Sequence, residues 1–147
     1  MRYVPAVLGF LIVACGGGDT TGSSYADISG SFAGPISGES QGYVLGATLT
    51  LTIVQNGASI SGTDAIVGTF DGASISGTGT FTGQIASGNN PSVNVTTSVQ
   101  GCPTVHATYS GSYSSANHSL TMGGPLYILN NDCSIALTYS LTLVLNK

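Results

Sequence analysis

Three groups of residues have types and spacings that could do chemistry. Gly38-Glu39-Ser40-Gln41-Gly42 has the G-x-S-x-G spacing of a nucleophile elbow. That device needs a strand that delivers the serine to a sharp turn, a helix after it, and a distant acid and histidine to complete the relay. Tyr43-Val44-Leu45 follows and reads as strand, so Ser40 is assigned to a polar loop. His106 falls out of phase with Val105, Ala107 and Tyr109 and therefore faces outward, and His118 follows Asn117 in a turn. No His-x-x-x-His, Cys-x-x-Cys or carboxylate cluster accompanies either histidine, so the reading is a non-catalytic chain with no metal site and no cofactor. Asp64 is the more informative residue. Alternation from Ile60 through Gly62 puts it on the face of Ile66, where a carboxylate must be paired, hydrogen-bonded or neutralised. A bulge near Thr63 would instead turn Ala65 and Val67 inward and Asp64 to water, and this is the preferred reading. If Asp64 is buried, it is the first candidate for a ligand contact.

The elements that would position these groups follow from composition and period. Only 2 basic and 6 acidic residues occur among 147, and Ser, Thr and Gly fill two fifths of the chain. Exposed helix faces draw on Glu, Lys, Arg and Gln, which are scarce here, so helical folds are excluded. A net charge of -4 with two basic residues also excludes a nucleic-acid partner, since phosphates could not be neutralised. Period-two alternation is plain in Ala47, Leu49, Leu51 and Ile53, and again in Ile135, Leu137, Tyr139, Leu141, Leu143 and Leu145. Weaker versions recur around Phe32, Ile60 to Val67, Phe81, Val93 to Val99, Val105 to Tyr113, and Leu120 with Met122. Turn residues lie between them, among them Asn56-Gly57, Asp71-Gly72 and Asn130-Asn131-Asp132.

This pattern predicts an all-β domain over 26–147, an antiparallel up-and-down meander of about eight strands. Its single apolar face must be covered by closure into a small barrel or, alternatively, by folding into a two-sheet sandwich. Glycines in the facing registers beside Phe32 and Phe81 favour the barrel, because they suit strongly coiled strands. The heptapeptide Gly57-Ala58-Ser59-Ile60-Ser61-Gly62-Thr63 recurs identically at Gly72 to Thr78 and reads as one hairpin recipe used twice.

Residues 1–14 read as an export signal: one basic residue, Arg2, then an apolar run too short to span a bilayer. Ile12-Val13-Ala14-Cys15 resembles the lipobox of bacterial lipoproteins. The resemblance implies cleavage before Cys15, a diacylglyceryl group on its thiol, and a flexible Gly/Ser/Thr tether over 15–25. Two or three acyl chains, at roughly 0.8 kcal/mol per buried methylene, hold a protein stably to a membrane. With Cys15 assigned to lipid, Cys102 and Cys133 remain as a disulfide pair or as two buried free thiols, and export favours the pair.

The domain itself resembles small bacterial lipoproteins of the cell envelope. Ser29-Gly30-Ser31-Phe32-Ala33-Gly34, Ile60-Ser61-Gly62-Thr63, Cys102 with Cys133, and Leu141-Thr142-Leu143 look like the motifs of that group. The resemblance implies a lipocalin-like or avidin-like barrel and brings no activity with it. The expected role is a binding module anchored in the envelope, with the outer membrane favoured because Gly16 rather than Asp follows Cys15. Phe32, Asp64, Phe81, Tyr109, Tyr113 and Tyr139 are the candidates to line a site for a small apolar or amphipathic ligand. A cavity below about 300 Å³ counts against that role. The alternative is a structural or surface-interaction protein with a filled core and an envelope protein as partner.

Overall fold

Threonine and serine at every second position, with valine, isoleucine or leucine between them, favour pleated strands whose two faces meet different solvents. The computed structural model describes residues 24–99 and 101–147, and Cys15, with the export signal and most of the tether, lies outside them. Among the described residues there are eight strands and no helix: β1 (Gly30–Ser40), β2 (Tyr43–Asn56), β3 (Ser59–Phe70), β4 (Ala73–Ile85), β5 (Ser92–Val99), β6 (Cys102–Ser114), β7 (Ser119–Leu129) and β8 (Ile135–Asn146). They run in chain order as an antiparallel meander, and β8 returns to β1 to close a barrel. Gln41 and Gly42, and likewise Asp71 and Gly72, have positive φ at both central turn positions, the twist that two-residue hairpins require.

The β1–β2, β3–β4, β5–β6 and β7–β8 turns lie at one end of the barrel, and the other three turns lie at the opposite end, which the N-terminal segment crosses. At that second end Ile28 is fully buried. Its N–H donates to Gln55 Oε1 at 2.8 Å while Gln55 Nε2 donates to Ala26 O at 3.0 Å. One amide side chain therefore pins the segment across the opening. Beneath it Phe32, Val93, Leu120 and Leu145 are completely buried, and the ring of Phe32 meets Tyr113 edge-on with centroids 6.1 Å apart. This end is a filled core.

Two findings correct the strand reading. β3 pairs without interruption with both β2 and β4, Thr63 lying opposite Thr52 and Thr80, so there is no bulge near Thr63. Asp64 consequently faces inward and Val67, 64 % exposed, faces out. The register shifts lie elsewhere, between Ser98 and Val99 in the β5/β6 ladder and between Ile128 and Leu129 in the β7/β8 ladder.

Candidate functional site

The wall of the barrel is not uniformly tall. β5 has 8 residues and, among the described residues, its ladder with β4 runs only from Gly79 to Ile85, so Ala73 to Gly77 extend beyond it. On the other flank β6 and β7 pair only between Ser110/Gly123 and Ser114/Ser119, leaving Gly124 to Leu129 without a β6 partner. Pro125 contributes to this gap because it has no N–H to donate to a ladder. The short β5–β6 hairpin thus stands between two free strand edges.

Behind it lies an apolar cavity of 260 Å³. Leu51, Ile66, Phe81, Leu126 and Leu143 supply much of its wall. Four consecutive residues of β7, Leu126 to Leu129, border it. The Cys102–Cys133 disulfide, with Cα atoms 5.5 Å apart, ties the tip of the β5–β6 hairpin to the β7–β8 turn across this flank.

Asp64 is the one carboxylate on the cavity wall. Its inward position is possible because Gly79 stands opposite on β4. A Cβ added there would come within 2.7 Å of Asp64 Oδ1 and 2.8 Å of Ser98 O. Oδ1 is buried and has no hydrogen-bond partner among the described residues. Burial raises the pKa of Asp64 above the ordinary 3.8, offset only by a bond to its own backbone. A buried carboxylate oxygen without a donor is costly, and such groups mark places where a partner is missing.

Tyr109 faces the same space. Its hydroxyl donates to Pro125 O at 2.6 Å, bridging β6 to β7 where the ladder has stopped. Gly124 permits this, since a Cβ there would collide with the Tyr109 ring. Burial first, then the charge of Asp64, then Tyr127, push the Tyr109 phenol up to about 12. Its proton therefore stays committed to Pro125 at neutral pH, and its oxygen can only accept.

Of the six lining candidates read from the sequence, the structure brings Asp64, Phe81 and Tyr109 together at the cavity. The other three are buried away from it. Phe32 and Tyr113 pack in the filled end, and Tyr139 closes the β1–β2 side, its hydroxyl donating to Tyr43 O at 3.1 Å. Period two reveals which face a residue takes but not its height along the barrel. Gly79 was read only as a glycine suited to coiled strands and not as the partner of Asp64, while the Gly124-Pro125 pair and the apolar run Leu126 to Leu129 were missed altogether. Glycine followed by proline inside a strand was the available signal that a ladder ends there.

The remaining groups of interest stay apart. Ser40 ends β1, donates to Thr138 O at 3.4 Å and is followed by a turn and another strand. His106 Nδ1 lies 3.0 Å from Ser98 Oγ on the exterior, and His118 Nδ1 lies 3.3 Å from the Tyr113 hydroxyl at the filled end. Among the described residues no three His, Cys, Asp or Glu side chains gather as a metal site would require. Comparison with protein-family models, with curated proteins and with solved structures gives no match for the chain.

Proposed function

We propose that the chain is a non-catalytic binding module that holds a small apolar or amphipathic molecule in the barrel cavity while a lipid on Cys15 anchors it in the cell envelope, most naturally at the outer membrane. The observation that carries this reading is the apolar cavity with a single unsatisfied carboxylate oxygen in its wall. Binding sites combine apolar walls with a few polar groups that fix orientation, and this cavity has that composition. Its 260 Å³ lies below the about 300 Å³ threshold, which counts against a drug-sized ligand and leaves room only for a short chain or a single ring. The free edges of β4 and β7 give such a molecule a lateral way in. Ser24 sits at the filled end, where its carbonyl accepts from Gly88 N.

Native mass spectrometry of the mature protein from its own host tests the reading, because one spectrum reports the acyl mass, the disulfide and any retained small molecule. A diacylated protein carrying a stoichiometric low-mass ligand is the expected result. A delipidated chain with nothing bound, even after addition of short-chain amphiphiles, would favour the structural alternative with an envelope protein as partner.

A further inference from the structure

Ser76, Thr78, Thr97, Ser98 and Tyr127 bring hydroxyls to the border of the cavity, and three further polar groups there can accept. Asp64 Oδ1 is buried and lacks a donor. Ser98 O borders the same point above Gly79, on the opposite side from Asp64. The Tyr109 hydroxyl already donates its hydrogen to Pro125 O and offers the cavity only lone pairs. No cation of the described chain answers them: Lys147, its only lysine or arginine, lies at the filled end with Nζ 5.9 Å from the Phe32 ring centroid. A carboxylate in an apolar wall is stabilised by a donor, and more by a donor that also carries the opposite charge. Alkanols supply only the donor, and carboxylic or phosphoric acids bring a second negative charge.

We infer that the occupant is a small primary amine, its ammonium group seated between Asp64, Tyr109 and the Ser98 carbonyl and its hydrocarbon part against Leu51, Ile66, Phe81 and Leu143. This rests on the reading of the cavity as a ligand site and adds the head-group chemistry to it. An ammonium brings the donor and the charge that Asp64 Oδ1 lacks, and the Tyr109 oxygen on the same cavity can accept a second bond from it. The hydrocarbon must be short, since the cavity volume is 260 Å³.

The test uses the full chain with Cys15→Ser, so that no acyl chain competes, and with the disulfide intact. Hexylamine, 1-hexanol and hexanoate share one hydrocarbon length and differ only in head group. Calorimetry at pH 7 should give hexylamine an affinity about ten-fold or more above 1-hexanol, with hexanoate weakest. In Asp64→Asn the amine preference over 1-hexanol should vanish, with an unchanged circular dichroism spectrum and a cooperative melt certifying that the variant is folded. Equal affinity for hexylamine and 1-hexanol, tighter binding of hexanoate, or an amine preference that survives Asp64→Asn would overturn the amine assignment and leave the cavity a ligand site. Failure of all three probes to bind would overturn the ligand site as well.

Discussion

The same seven residues occur at opposite ends of this barrel. Gly57 to Thr63 opens β3 at the filled end, and Gly72 to Thr78 opens β4 at the cavity end. In the first copy Ile60 is 3 % exposed and Gly62 lies under the Phe81 ring. The second copy fares differently: Ile75 is half-buried and, with Gly77, borders the cavity. Local sequence therefore set the strand and its faces in both places, and the neighbours decided whether the inward face became core or pocket. At the filled end the neighbours are full-height strands bearing Phe32, Tyr113 and Leu145, capped by Ile28. At the cavity end they are a short hairpin, two free edges, glycine at 77 and 79, and a carboxylate.

That contrast can be broken from either side. Phe32→Ala removes a completely buried ring from the filled end and should cost about 3 to 5 kcal/mol in urea unfolding, with the slope unchanged. Replacing both Cys102 and Cys133 by Ser opens a 31-residue loop and should cost about 3 to 4 kcal/mol by the chain-entropy estimate. Because the bridge spans the β6–β7 flank, amide exchange should quicken in Leu126 to Leu129 and stay slow at Leu120 and Leu145. Ile66→Ala, at the half-buried cavity wall, should cost only about 1 to 2 kcal/mol, since much of its surface already faces the cavity. A loss equal to that of Phe32→Ala would mean that the two ends are packed alike.

The smallest effect is also the most specific. Asp64 has a folded pKa above its unfolded 3.8, so its contribution to stability is complete below that value and is lost as pH rises through the folded pKa. Asp64→Asn should therefore be more stable than the parent at pH 7, and the difference should shrink as the pH falls below the unfolded value. The exposed Asp27 and Asp132 are shifted downward by bonds from Ser29 and Ser134 and act in the opposite sense. They are common to both proteins and cancel in the comparison. Thermal melts of the pair across that range would show it.

The strands and their closure were legible because each rests on period-two alternation and on turn residues that act locally. Eight strands, the meander order and the barrel all follow from that pattern, and Cys102 and Cys133 form their bridge. What was not legible depends on residues far apart in the chain. Asp64 looked too costly inside because the sequence does not reveal that Gly79, fifteen positions on, stands opposite and makes room. Tyr113, Tyr139 and Phe32 looked like lining because alternation gives a face without a level. The pinning of the N-terminal segment by Gln55 joins residues 27 and 29 positions apart, and no local rule announces it.

The central claim is that one end of the barrel is a receptive cavity and the other a solid core. Methyl-resolved NMR during a titration with 1-hexanol tests it most directly. The account predicts saturable shifts at Leu51, Ile66, Leu126 and Leu143 and none at Ile28, Leu120 or Leu145. Shifts centred on the latter group, or a titration that never saturates at either end, would contradict it.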